Sequence, residues 1–226
     1  MNRIISMTLL GISVAFGANI QTLTQQCEAN NAKACVDLGV AYANGTGVAR
    51  NDAKVFEFIK KACDLGSVAA CNDVGFLYEK GQGTNKNLSK AFELYKKACD
   101  MGGAAGCNSL GVVYAEGEGV AKNLSKAFEL YKKACDMGYA VGCFNLGTAY
   151  GNGNGVAKDS SKAFQFYKKS CDMGGAMGCT NVGFAYYNGE GVKKDINAAK
   201  NYSKKACGMG NEVGCRNYKR YLKGGR

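Results

Sequence analysis

Two helical patterns of apolar and polar positions alternate along the chain. In the first, over residues 86–99, Leu88, Ala91, Phe92, Tyr95 and Cys99 fall on one face at spacings of three and four. Asn87 is predicted to cap its N-terminus, and Asn51, Asn123, Asp159 and Asp195 hold the same place in the sister segments. All five can offer a side-chain oxygen to the free N–H groups of the first turn. The helix is predicted to stop at Gly102, with Gly66, Gly138, Gly174 and Gly210 as its counterparts and Asn30 in the leading segment. A left-handed residue is wanted there, and these types supply it. The second pattern carries Cys107, Leu110, Gly111 and Tyr114 on one stripe. A mid-helix glycine costs about 1 kcal/mol by propensity, so it is expected to allow close approach of a neighbouring helix. The link back is Gly117-Glu-Gly119-Val120, with similar Gly-x-Gly pairs from Gly45, Gly81, Gly153 and Gly189. No strand pattern precedes them, so they read as helix–helix loops rather than phosphate cradles.

Both patterns recur every 36 residues. The cysteines at 27, 35, 63, 71, 99, 107, 135, 143, 171, 179, 207 and 215 alternate gaps of 8 and 28. Tyr42, Tyr78, Tyr114, Tyr150 and Tyr186 lie seven residues after the second cysteine of each pair, and Phe56, Phe92, Phe128 and Phe164 seven before the first. A fixed period of this size marks a repeat array. Five full helix-turn-helix units over about 31–210 are expected, between half units at 19–30 and 211–226, as a single array over 19–226. In the last half unit Lys219 replaces the packing glycine, Leu222 replaces the tyrosine, and Arg216 and Arg220 add charge. A terminal unit has no further neighbour, so a polar outer face is expected.

Composition narrows the chemistry. The 226 residues include 12 Cys and 32 Gly but no His, Pro or Trp. Without His there is no Ser-His-Asp triad, no Cys-His dyad, no imidazole metal ligand and no imidazole pH switch. Residues 1–18 read as a secretory signal: Arg3, an apolar run from Ile4 to Phe16, then the small residues Gly17 and Ala18. The run is too short to span a membrane, and no later segment is long and apolar enough. Twelve cysteines behind such a signal point to disulfides, in a secreted or periplasmic protein. Residues eight apart on one continuous helix are about 12 Å apart, beyond the reach of a bridge. Local Cys-x7-Cys pairing therefore needs the turn at the Asp-Met-Gly stop. A rival scheme joining Cys35 to Cys63 would orphan Cys27 and Cys215, so local pairing is favoured. Zinc has neither the spacing nor a histidine, and a catalytic thiol has no base. No metal and no cofactor are expected.

The motifs Lys133-Ala-Cys-Asp-Met-Gly138 and Gly142-Cys-Phe-Asn-Leu-Gly147 resemble the Sel-one-like repeat family. With 36-residue units and paired cysteines, the chain resembles the Helicobacter cysteine-rich proteins in particular. The resemblance implies an all-α, right-handed α/α solenoid, secretion, and contact with host-cell or cell-envelope components. It also implies penicillin binding and slow β-lactam hydrolysis, with a β-lactam or peptidoglycan fragment as ligand. Serine enzymes of that class use Ser-x-x-Lys, Ser-Asp-Asn and Lys-Thr-Gly motifs. None of the three occurs in this sequence, and no catalytic residue is assigned.

Two surfaces could take a partner. The net charge of +11 is largely periodic: Lys60-Lys61, Lys96-Lys97, Lys132-Lys133, Lys168-Lys169 and Lys204-Lys205 form a basic ladder near helix C-termini. It reads first as a solvated face and second as an attraction for acidic surfaces. Nucleic acid is not expected, because aromatic and basic residues do not interleave. The other surface is the variable row one, five and eight residues after the second cysteine. It includes Asn72 and Phe76; Asn108 and Val112; Phe144 and Thr148; and Thr180, Phe184 and Tyr187. An inner row of this kind could line a groove for a peptide or protein ligand, or could pack against neighbouring helices.

Overall fold

In the computed structural model, which describes residues 20–223, each predicted pattern forms a helix and the described residues contain no strand. One set of helices leads into the cysteine turns: α1 (Ile20–Glu28), α3 (Asp52–Asp64), α5 (Leu88–Asp100), α7 (Leu124–Asp136), α9 (Ser160–Asp172) and α11 (Ile196–Gly208). The other set leads out: α2 (Ala32–Asn44), α4 (Val68–Lys80), α6 (Ala104–Glu116), α8 (Ala140–Asn152), α10 (Ala176–Asn188) and α12 (Glu212–Leu222). They group into two compact units, one ending at Gly106 and one beginning at Cys107. The predicted signal segment 1–18 lies outside the described residues.

The predicted caps form. Asn51, Asn87, Asn123, Asp159 and Asp195 each accept a hydrogen bond from the backbone N–H three residues on. Each also donates its own N–H to the carbonyl of the periodic tyrosine at 42, 78, 114, 150 or 186, at 2.7–3.1 Å. The loop between the helices is thus closed from both sides. At the opposite turn Asn30 and Gly66, Gly102, Gly138, Gly174 and Gly210 all take positive φ. That turn brings Cys27 to Cys35, Cys63 to Cys71, Cys135 to Cys143, Cys171 to Cys179 and Cys207 to Cys215, with Cα–Cα distances of 4.4–4.7 Å. Cys99 and Cys107 are disulfide-bonded as well, and no free cysteine remains among the described residues. Local pairing holds because the turn, rather than a continuous helix, separates the partners.

Close approach explains the mid-helix glycines. A Cβ at Gly39, Gly75, Gly111 or Gly147 would sit 2.6–2.8 Å from Ile59, Tyr95, Tyr131 or Tyr167 of the following helix. Packing of these large side chains against bare backbone outweighs the propensity cost. The second glycine of each Gly-x-Gly link has a different duty. Gly83 and Gly191 have φ of +69° and +70°, and a Cβ there would land on the carbonyl of Asp52 or Ser160, at the start of a helix one repeat earlier. These loops are therefore stacking surfaces between repeats. Rings reinforce the stack: Phe56 meets Tyr78, Phe128 meets Tyr150 and Phe164 meets Tyr186, edge to face at 5.0–5.3 Å.

Candidate functional site

Helix stacking sorts the variable row into members that pack and members that stay open. In the first unit, Asn72 and Phe76 on α4 are partly buried, and the Lys80 ammonium lies 5.6 Å from the Phe76 ring centroid. The carboxyl of Asp73, next to Asn72, is pushed up to about 6 by burial, partly offset by a hydrogen bond from Asn72. Glu79, eight after Cys71, accepts a hydrogen bond of 2.8 Å from the Tyr95 hydroxyl.

In the second unit, Asn108 is buried and its Oδ1 accepts from the Asn145 amide at 2.8 Å. Val112 packs against the cluster of Phe128, Tyr131, Cys143 and Leu146. Thr180 is buried, donating to the Ala176 carbonyl and contacting Oδ1 of Asn211, the α12 cap, at 3.1 Å. Tyr187 stacks on Tyr221 of α12 at 4.2 Å, with the Arg220 guanidinium 4.9 Å from its ring. Phe144 and Thr148 both meet Tyr167, through a ring contact of 5.8 Å and a hydroxyl contact of 3.4 Å. Phe184 alone of the row is strongly exposed, at 41%.

Phe184 stands on the wall of a cleft of about 550 Å³, lined also by Gly151, Asn152, Lys158, Ser160, Ala163, Phe164, Tyr167, Asn181, Ala185 and Glu190. These side chains come from α8, α9, α10 and their loops. A smaller cavity of about 90 Å³ occupies the same register one repeat earlier, lined by Ala115, Leu124, Ala127, Tyr131, Asn145, Thr148, Ala149 and Asn154. Two truncations accompany the difference. Gly151 replaces Ala115, and Ser160 replaces Leu124; elsewhere the latter place holds Asp52, Leu88 or Ile196. In the smaller cavity burial pushes the Tyr131 phenol up to about 12, with the Glu116 charge adding to the shift. The larger cleft has the size of a ligand pocket and pairs aromatic walls with an ammonium, a carboxylate and an amide.

Of the nine predicted groove residues, the cleft uses Phe184 directly, while Thr148 lines the smaller cavity. Helix α12 and the Asn145 side chain occupy Thr180, Tyr187 and Asn108. Phe164, Tyr167, Lys158 and Asn181 line the cleft without having been singled out as groove residues. Ser160, where Leu88, Leu124 and Ile196 stand in three of the four sister segments, was the signal available in the sequence. Part of the basic ladder is spent within its own helices: Lys60, Lys96 and Lys168 pair with Asp64, Asp100 and Asp172 at 2.6–2.9 Å. Among the described residues no three His, Cys, Asp or Glu side chains are arranged to hold a metal ion.

The Sel1 repeat model matches residues 32–67, 68–103, 104–139, 140–175 and 176–211. The chain belongs to the Sel1 repeat family. Sel1 repeats mediate protein–protein interaction. Each matched segment is one pair of an outgoing and an incoming helix. Among solved structures the chain is similar to c5321, a protective antigen of uropathogenic Escherichia coli with an SLR fold. That match has 28% identity and a TM-score of 0.79, covering 92% of this chain but only 45% of the antigen. It is also similar to a Sel1 repeat protein of Oxalobacter formigenes, at 26% identity and a TM-score of 0.78 over 93% of this chain and 90% of that one. Helicobacter pylori cysteine-rich protein B aligns at 38% identity and a TM-score of 0.48, over 57% of this chain and 93% of that one. No curated protein matches the chain.

Proposed function

We propose that this Sel1 repeat protein is a secreted or periplasmic interaction module that holds a peptide segment of a partner protein in the cleft between α8, α9 and α10. The observation that carries the reading is the cleft itself, where Gly151 and Ser160 stand in place of larger side chains and leave Phe164, Tyr167 and Phe184 around an open space. Aromatic walls supply apolar contact area, and Lys158, Glu190 and Asn181 supply orienting polar groups. The bridged cysteines support an oxidising compartment. No described helix is long and apolar enough to cross a membrane.

A random peptide library panned on the full chain supplies probes. A Cβ at Gly151 would meet only Ala163 and the Tyr167 hydroxyl, both at 3.6 Å, so Gly151→Leu adds bulk to the cleft without displacing backbone. Selected peptides should lose at least about tenfold in affinity on Gly151→Leu and on Phe184→Ala, the worth of one well-packed side chain. Unchanged affinity on both folded variants would overturn the reading. Penicillin binding and β-lactam hydrolysis, implied by the cysteine-rich resemblance, have no arrangement of described side chains in their favour. Bridged cysteines are not nucleophiles.

A further inference from the structure

A row of exposed methionines runs through the cysteine turns. Met101, Met137, Met173 and Met209 each follow the last residue of an incoming helix, and they are 36–39% exposed. An apolar side chain held open at one register in four repeats is not explained by the turn, which asks only for the glycine after it. Two of the sulfurs have a specific neighbour. Met173 Sδ lies 3.8 Å from Cys143 Sγ, and Met209 Sδ lies 3.9 Å from Cys179 Sγ. Met173 and Met209 thus each sit on the disulfide of the preceding repeat. The bridges beneath are almost wholly buried, with Cys135, Cys143, Cys171 and Cys179 at 0% exposure. On these faces the thioether is the outermost sulfur.

We infer that Met173 and Met209 are sacrificial oxidation sites that shield the Cys135–Cys143 and Cys171–Cys179 bridges from hypohalous acids. A thioether is soft, polarizable and readily oxidised by two electrons to the sulfoxide. Its lone pair attacks the chlorine of hypochlorous acid, and hydroxide leaves to give a chlorosulfonium ion. Water then adds at sulfur and chloride departs with the bonding pair. Thioether plus hypochlorous acid becomes sulfoxide plus hydrogen chloride: sulfur loses two electrons and chlorine gains them. The lesion falls on a side chain at the surface of the turn rather than in the core, and sulfoxide reductases can reverse it. The same oxygen placed on a bridge sulfur would weaken the cross-link that pins two helices.

Graded hypochlorous acid on the full chain, read by mass spectrometry of unreduced peptides, tests this. Met173 and Met209 should become sulfoxides before oxygen appears on Cys143 or Cys179. In the Met173→Leu, Met209→Leu double variant, those cysteines should be oxidised at a dose lower by about threefold or more. Leucine is tolerated at this register, since Leu65 occupies it 30 residues after Cys35, with 36% exposure. Leu65→Met supplies the converse test and should raise the dose that oxidises Cys35. If the dose for each bridge ignores whether Met or Leu follows 30 residues later, the methionines do not shield, and the inference is overturned.

Discussion

Asp73→Asn isolates what a buried charge costs this fold. Asp73 lies on α4, and burial holds its carboxyl at about 6, against 3.8 in an open chain. Three later repeats place Asn145, Asn181 and Asn217 at this register, so the amide is compatible with the site. The sign follows from linkage: the folded state prefers the neutral acid. Below pH 3.8 the group is protonated whether the chain is folded or not, and it costs nothing. As pH rises from about 4 to about 6 the unfolded chain gives up its proton first, and stability falls. Above that window the full penalty is present. A two-unit shift corresponds to about 3 kcal/mol, since each unit is worth about 1.4. The asparagine variant does not titrate, so it should exceed the parent by about 2–3 kcal/mol at pH 7 and match it at pH 3.5. Urea unfolding followed by circular dichroism at half-unit intervals of pH measures the difference. A difference that stays flat with pH, or grows on acidification, would refute the reasoning, because either result removes the ionised carboxylate as its source.

Four further outcomes are expected. Gly83→Ala should destabilise by about 2–4 kcal/mol, because the new Cβ meets the Asp52 carbonyl at positive φ. Gly66→Ala, with positive φ but open space around it, should cost only about 1 kcal/mol, both variants being compared with the parent in thermal melts. Ser170→Ala should stabilise by about 1 kcal/mol in thermal melts, since the Ser170 hydroxyl is buried without a partner and its counterparts are Ala62, Ala98, Ala134 and Ala206. Replacing Cys171 and Cys179 together by alanine should cost about 2.6 kcal/mol in chemical denaturation, the loop-closure value for a nine-residue ring.

The local devices of the fold were legible in the sequence because each answers to a few neighbouring residues. Asn87 caps because a side-chain oxygen is needed within three residues. Gly102 turns because an L side chain resists its φ of +85°. The Cys-x7-Cys pairing follows from that turn. Stacking between repeats was harder to read because it joins residues about 30 apart. Gly83 reads as a loop residue until Asp52 is placed beneath it, and Asn108 reads as groove lining until Asn145 arrives to bond it. Phe184 and Thr180 share one helix and one variable row, yet one is open and the other closed, and only the position of Asn211 on α12 distinguishes them.

Helix α12 shows the same limit at its sharpest. Lys219 and Leu222 depart from the repeat, and both are exposed. The compensation lies elsewhere. Ser203 stands at the register of Tyr95, Tyr131 and Tyr167, so the packing ring opposite Gly183 is missing. On α12, Tyr221 takes a place held by Ala149 and Ala185 in the preceding outgoing helices, and it is fully buried against Tyr187. One aromatic is deleted and another is supplied from the next helix. Each residue departs from its own register, but nothing in the period says that the two departures belong together. The trace of the exchange is chemical: the hydroxyls of both Ser203 and Tyr221 are buried without partners, and burial pushes the Tyr221 phenol up. Helix α12 therefore returns a ring to the stack and accepts two unpaired hydroxyls as the cost, because the apolar area regained outweighs them.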